Sequence, residues 1–384
     1  MTVITCVEDL RQLARKRVAK AIFGYVDSGS YTESTLHANR DDFDAIRLRQ
    51  RVAVDVDNRN TRTTMIGHDV TMPVALAPVG LTGLNWGDGE ILAAQAAEAF
   101  GVPFTLTTMA ICSMEDVAAA TSQPFWFQLY VMRDRGFAAS LIQRAKAAGC
   151  SALVLTLDLQ ILGQRHADLK NGLTVPPRLT LANLLDTLRK PRWVSSVLMA
   201  KRKTFGNLAC HVKGADNLST LMQWVGQQFD PTLSWKDVEW IRNQWGGKLI
   251  LKGILDPDDA RLAAATGADA IVVSNHGGRQ LDGAISSIRA LPQVRDIVGD
   301  KMEIWMDGGV RSGQDVLKAC ALGARGVMIG RSYVYGLGAM GRPGVTRALE
   351  IIQKELDISM ALSGLRDIRE ASPSNVLLPA GFVA

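Results

Sequence analysis

The chain has 384 residues, 47% apolar and 21% charged, with a net charge of +5, an ordinary globular balance that excludes a disordered or fibrous protein. Its five cysteines are odd in number and far apart, which argues against a disulfide framework or a zinc site and suits a reducing compartment. No run approaches the roughly 18 apolar residues of a membrane-spanning helix, and Glu8 and Asp9 interrupt any signal-peptide core, so a cytoplasmic or peripherally bound protein is expected.

Residues 1–69 are expected to form a helix over 7–28 and then an irregular, partly extended segment, together a cover over one end of the remaining chain. From residue 70 onward one pattern repeats: a short apolar run, a turn, an amphipathic stretch. The runs are 74–77, 104–107, 126–129, 152–156, 249–252, 270–274, 303–306 and 326–329. Most lack polar alternation, as strands of a parallel sheet buried on both faces do. Helical patterns occupy 90–100, 137–148, 235–245, 257–266 and 313–322. Ser234 and the Asp256-Pro257 pair supply start signals, and Gly101, Gly149, Gly267 and Gly323 stand where helices should stop. Eight βα units in series predict an α/β protein, a TIM (β/α)8 barrel over 70–384 within a single domain spanning 1–384. About ninety residues separate the fourth strand from the fifth, where about twenty would serve. An insertion or mobile loop over 172–232 is therefore expected beside the active face.

Catalytic groups of such barrels gather at the carboxyl ends of strands. Strand 3 ends in Gln128 and Tyr130, strand 4 in Thr156 and Asp158 with Arg165 soon after, and strand 5 in Lys252. Strand 6 runs into Ser274, Asn275, His276, two glycines, Arg279 and Gln280. Strand 7 ends in Asp307, Gly308 and Gly309, followed by Arg311, and strand 8 in Gly330 and Arg331. Gly308 and Gly309 let backbone amides approach an anion, the helix after each turn presents its N-terminus, and Arg311 and Arg331 add charge. That is the usual phosphate site of a TIM barrel. His276 is the natural base for a hydroxyl proton near neutral pH, and Arg279 offers a planar fork for a carboxylate. Arg165 is either a second grip or a surface salt-bridge partner. Asp158 either holds the His276 ring and stabilises its cation or caps a turn. Lys252, ending an apolar strand, could compensate negative charge on a bound electron acceptor. Tyr25 and Tyr130 either hydrogen-bond substrate or merely pack. These residues describe a phosphate-bearing cofactor, a histidine base and an arginine-bound carboxylate, without naming the reaction.

The loop SNHGGRQLD, residues 274–282, resembles the active-site signature of the FMN-dependent 2-hydroxy acid dehydrogenases and oxidases. The resemblance spans nearly the whole chain, through YVDSG from Tyr25, WFQLYV at 126–131, LTLD at 155–158, LKG at 251–253, DGGVRSG at 307–313 and IGR at 329–331. MPVALAPVGL at 72–81, WFQLYVMRDRGF at 126–137, FDPTLSWKDVEWIRNQW at 229–245 and KGILDPDDAR at 252–261 most resemble the bacterial membrane-associated, quinone-linked L-lactate dehydrogenases. The resemblance implies oxidation of L-lactate to pyruvate, with His276 taking the hydroxyl proton while hydride passes to flavin N5. It implies that Arg165 and Arg279 bind the carboxylate, that Tyr25 and Tyr130 hydrogen-bond substrate, and that Asp158 supports protonated His276. Lys252 would stabilise reduced FMN at its N1–O2 edge. FMN would also meet Ala77, Val79, Gly80, Thr107, Gln128, Thr156, Ser274 and Asp307, its phosphate lying by Gly308, Gly309, Arg311, Gly330 and Arg331. Met109 stands where glycolate oxidases carry tryptophan, which weakens a glycolate reading. A homotetramer, and quinone or a cytochrome as acceptor, are further implications.

Within the insertion, 189–214 is basic, with Arg189, Lys190, Arg192, Lys201, Arg202, Lys203 and Lys213 around Trp193, Val194, Val197, Leu198 and Met199. Basic ends around an apolar centre suit peripheral contact with an anionic inner-membrane surface, or else a solvated loop. No reading motif for nucleic acid accompanies them. The competing functions are mandelate dehydrogenase, a 2-hydroxy acid oxidase using oxygen, an FMN barrel isomerase, and a non-catalytic flavin-binding scaffold.

Overall fold

Eight parallel strands alternate with helices along the chain: β1 Val74–Leu76, β2 Thr105–Thr107, β3 Trp126–Leu129, β4 Ala152–Thr156, β5 Lys248–Ile254, β6 Ala270–Val273, β7 Glu303–Asp307 and β8 Gly326–Ile329. The computed structural model describes residues 3–173, 180–209, 211, 224 and 226–382. Neighbouring strands pair in parallel from β2 through to β8, and β8 then pairs with β1, Val327 opposite Val74. A single parallel bridge between Leu76 and Phe104 brings β1 back to β2 and closes the expected TIM barrel. Alternation along each strand sorts the core into two layers. Ala152 and Val154 of β4 point into the barrel with Trp126, Ile250, Val272, Trp305 and Met328, while Leu153 and Leu155 pack outward under the helices. Trp126 and Trp305 stack at 5.1 Å between ring centroids and are the largest side chains of an interior shared with alanines, valines, Ile250 and Met328. A hairpin, Thr63–Met65 against His68–Val70, plugs the amino-terminal end with Met65 and Val70. Its turn is anchored where Ile66 N donates to Glu303.

The helix expected over 7–28 is two helices, α1 Val7–Arg17 and α2 Lys20–Asp27. Val18 and Ala19 between them are extended and buried, at 1% and 5% exposure. No proline or glycine forces the break. Val18 is drawn instead onto Gly338, where a Cβ would come within 2.8 Å of Val18 Cγ2, so tertiary burial overrides local propensity. The segment expected to be irregular contains a third helix, α3 Ser34–Ala45. Its sequence is too polar to show a buried face, yet α3 carries Asn39, which is central to the site.

The insertion contains helices Leu181–Leu188 and Pro191–Met199, while 174–179, 210, 212–223 and 225 of the expected 172–232 lie outside the described residues. Trp193 does not face outward as the membrane reading of 189–214 expected. Its Nε1 donates to Leu84 O at 2.8 Å, so the indole packs against the barrel rim. Arg202 is likewise taken up by Asp88 and Asp116, and Lys190 donates to Lys16 O. Lys213 lies outside the described residues. The exposed apolar side chains lie earlier, at Leu181, Leu184, Leu185 and Leu188, joined by Leu198 and Met199. Among the described residues no helix is long and apolar enough to cross a membrane.

Candidate active site

His276 sits just beyond β6 with φ +58, a left-handed conformation that a non-glycine residue adopts only when its surroundings hold it there. The holding is visible. Asn275 exchanges two side-chain hydrogen bonds of 2.9 Å with Asn39 of α3, and its Oδ1 also accepts from Gly278 N. Ser274 Oγ accepts from His276 N at 3.0 Å. Gln280 Nε2 donates to the carbonyls of Asp158 and Ile161, while its Oε1 accepts from Gly163 N. The loops after β4 and β6 are thereby stapled together. Further along, Asp282 takes Thr32 N, Ser34 Oγ and Thr35 N, which ties the His276 loop to the start of α3.

The His276 Nδ1 atom lies 2.9 Å from Asp158 Oδ1, which leaves Nε2 as the ring nitrogen available to a substrate. Burial disfavours a charged Asp158, but the attraction of His276 and Lys252 outweighs it and holds the carboxyl below its usual range. An ionised carboxylate at this distance is an acceptor for a proton on Nδ1. The approach depends on a bulge in β5. Gly253 has φ +103, and a Cβ there would fall 2.6 Å from Asp158 Cγ.

Arg279 and Arg165 flank the Tyr25 ring, their guanidinium carbons 4.8 and 5.6 Å from its centroid. Arg279 Nη1 donates to Tyr25 O and Ser28 O, which fixes the side chain from the end of α2. Arg165 pairs with the buried Asp168 at 2.6 Å and also lines the cavity, so it is not the surface salt-bridge partner of the second reading. Tyr130 joins them; burial, with Asp158 nearby, pushes its phenol well above its usual pKa and keeps it a hydrogen-bond donor.

Gly308 and Gly309 both have positive φ, +90 and +84, and a Cβ on Gly309 would stand 2.1 Å from Asn39 O. α3 therefore packs directly on the turn. The expectation that both following helices present free N-termini needs correction. Helix Gly313–Ala321 is already capped: Asp315 accepts from Arg311 N and Ser312 N, and Glu355 from Gly313 N. Helix Arg331–Met340 has no side-chain cap, so it is the one that offers amides to an anion. Arg331 itself is turned to the carbonyls of Val26, Gly277 and Ser28, stitching α2 to the site, and burial lowers its pKa to about 10. Arg311 lies half-buried over the Tyr335 ring, and desolvation lowers its pKa too.

Lys252 is 3% exposed, with Nζ 3.1 Å from Asp307 Oδ2 and from Ser274 Oγ. Burial opposes its charge, yet Asp307 and Asp158 together raise its pKa above the ordinary value. Ala77, Val79 and Gly80 line the same cavity of about 770 Å³ as His276, Arg279, Lys252 and the glycine turn. Thr107, Gln128, Thr156 and Ser274 sit buried just behind its wall, Thr107 Oγ1 donating to Gln128 Oε1 at 2.6 Å.

Gln128 Nε2, Thr156 Oγ1 and Asp307 Oδ1 are buried with no hydrogen-bond partner among the described residues. Native interiors rarely leave such atoms unsatisfied. They stand at the carboxyl ends of β3, β4 and β7, on the same end of the barrel as the buried Lys252, the uncapped helix N-terminus and the glycine turn. Unfilled donors and acceptors for a polar ring, with an anion seat beside them, fit flavin mononucleotide. Sequence reasoning missed Asn39, Asp168 and the role of Gln280. The signature loop contained Gln280, and Asp168 stood three residues from Arg165, but the polar α3 gave no periodic signal.

The FMN-dependent dehydrogenase model matches residues 14–378. The L-lactate dehydrogenase of Caulobacter sp. strain K31 is 48% identical, over 97% of this chain and 98% of that protein. That of Pseudomonas aeruginosa strain LESB58 is 45% identical, over 99% and 100%. Among solved structures, a monotopic membrane protein, (S)-mandelate dehydrogenase, superposes with a TM-score of 0.94 at 34% identity, covering 98% of this chain and 100% of that one. A mandelate oxidase gives 0.83 at 35%, covering all of both chains. Matched along almost its whole length, the chain belongs to the FMN-dependent dehydrogenase family.

Proposed function

We propose that the protein oxidises L-lactate to pyruvate, on a site in which Asp158, His276, Arg165, Arg279, Tyr25 and Tyr130 act on substrate. The observation carrying this reading is the His276 Nδ1 to Asp158 Oδ1 contact of 2.9 Å beside two arginines that flank one tyrosine. When bound, FMN supplies the acceptor for the two electrons that leave the α-carbon. Arg279 and Arg165 hold the carboxylate, which orients the α-carbon. Tyr130 and Tyr25 donate to substrate oxygens. His276 Nε2 takes the hydroxyl proton, and Asp158 stabilises the resulting imidazolium. Lys252 would offer its charge to the cofactor's polar edge, Gln128, Thr156 and Asp307 would hold its ring, and Gly309 with the N-terminus of helix Arg331–Met340 would hold its phosphate. L-Lactate is favoured because relatives at 45–48% identity carry that name. A second reading, mandelate, is favoured by the (S)-mandelate dehydrogenase superposition. Anaerobic titration of the yellow protein with L-lactate, D-lactate, (S)-mandelate and glycolate separates them. Bleaching of flavin absorbance by L-lactate is expected; bleaching only by mandelate would move the substrate, and no bleaching would sink the reaction.

Peripheral docking on the cytoplasmic face of the inner membrane is proposed for the insertion, with quinone or a cytochrome receiving the electrons. Four exposed leucines recur at helical spacing in Leu181–Leu188, and Arg189 and Arg192 come directly after them. Such a stripe suits an anionic bilayer. Leu184→Glu with Leu188→Glu should release the protein from anionic vesicles while L-lactate still bleaches the flavin; retention on the vesicles would refute the docking. A homotetramer is proposed on the family likeness, and sedimentation mass tests it.

A further inference from the structure

The insertion's return leg, residues 200–209, is built into the barrel rather than hung from it. Asn207 is wholly buried; its Nδ2 donates to Thr107 O at 3.1 Å and its Oδ1 accepts from Met114 N at 2.9 Å. Gly206 N donates to Ala110 O at 3.1 Å, and a Cβ on Gly206 would lie 2.5 Å from Ser113 N, so two backbones are in direct contact. Arg202 adds ion pairs to Asp88 and Asp116. Three anchors thus hold this leg along the loop after β2, from which Met109 reaches the cavity.

Between Arg202 and Gly206 stands Phe205, 4% exposed and part of the cavity lining. The groups that would grip a carboxylate and a hydroxyl, Arg165, Arg279, Tyr130 and His276, are all polar. Leu84, Met109 and Phe205 are apolar lining side chains on the side of the cavity formed by the loops after β1 and β2 and the insertion. A 2-hydroxy acid has one substituent left once its carboxylate and hydroxyl are held, and an apolar wall is where it belongs.

We propose that Phe205 is a specificity-determining residue: with Met109 it forms the wall against which the 2-substituent packs, and its bulk limits the size of that substituent. This rests on the 2-hydroxy acid reading above. The insertion then serves the chemistry as well as any docking, because the segment that leaves the barrel returns to close its pocket.

The test compares wild type, Phe205→Ala, Phe205→Leu and Phe205→Trp as flavin-loaded enzymes, with bound-flavin absorbance checking the fold. Anaerobic stopped-flow gives the second-order rate of flavin reduction by L-lactate and by L-2-hydroxyhexanoate. Because each methylene in an apolar pocket is worth about tenfold or more, the hexanoate-to-lactate ratio should rise at least about tenfold in Phe205→Ala. It should rise less in Phe205→Leu and fall in Phe205→Trp. Should Phe205→Ala lose its flavin, the other two variants decide. Ratios within about threefold of wild type in every flavin-loaded variant would overturn the proposal. A wild-type flavin that neither acid bleaches overturns the activity reading instead, and this one with it.

Discussion

Replacing Asp158 with asparagine keeps a side chain of the same shape 2.9 Å from His276 Nδ1 but removes its charge. The effect should fall on the step in which His276 becomes cationic. A hydrogen bond to a charged group contributes about 1.5–3 kcal/mol, against roughly 1 for a neutral one, so about 1–2 kcal/mol of stabilisation is lost. Its surroundings raise that figure. Asp158 is half-buried, and Lys252 would face one carboxylate where it now faces two, leaving more net positive charge beside a forming imidazolium. At about 1.4 kcal/mol per factor of ten, flavin reduction by L-lactate should slow about 10- to 100-fold. Anaerobic stopped-flow absorbance reads this directly, and the yellow colour of the purified variant shows that FMN remains bound. Gly253→Ala is the companion variant, since its Cβ would displace Asp158 without changing its charge. A rate for Asp158→Asn within about threefold of wild type, with flavin retained, would refute the reasoning.

Gly309→Ala should abolish or greatly weaken FMN binding, seen as colourless protein, because its Cβ would collide with Asn39 O at 2.1 Å in a turn with φ +84. Asp282 is held well below the ordinary carboxylate pKa: partial burial opposes ionisation, but the hydroxyls and amides of Thr32, Ser34 and Thr35 outweigh it. Its contribution to stability is therefore complete above about pH 4 and is lost as pH falls through the lower folded value. Asp282→Asn should lower the urea midpoint at neutral pH and flatten the acid limb of a stability profile; an unchanged limb would contradict this. Trp126→Ala removes half of the buried stack with Trp305 and should cost about 3–5 kcal/mol, measured as a shift in the chemical denaturation midpoint.

The barrel was legible because its signal is repeated eight times. Each strand is a short apolar run, and β3, β4 and β8 match the expected 126–129, 152–156 and 326–329 residue for residue. Strand ends then placed His276, Asp158 and Lys252 on one face without further information. The remainder depended on contacts that leave no local trace. The break at Val18 arises from burial against Gly338, more than three hundred residues away. The polar sequence of α3 conceals a helix because, of its three buried residues, only Phe43 is apolar, and Asn39 is buried on a hydrogen-bonded pair with Asn275. Trp193 read as an outward anchor since composition cannot distinguish a tryptophan facing lipid from one bonded to Leu84 O. Arg331 lines the cavity, and only coordinates reveal that it also donates to three carbonyl oxygens there.

The pairing of Asn39 with Asn275 spans 236 residues, and that of Val26 with Arg331 spans 305. During synthesis the first forty-five residues leave the ribosome long before the strands they will cover. Until the loop after β6 is made α3 lacks Asn275, and until β8 is complete α2 lacks Arg331; the loop-closure entropy of such separations delays both bonds further. The flavin pocket is thus finished late, and cofactor uptake waits on the return of the N-terminal helices to the barrel. A chain stalled just before residue 331 would hold the strands of the barrel and an unfinished seat for its flavin.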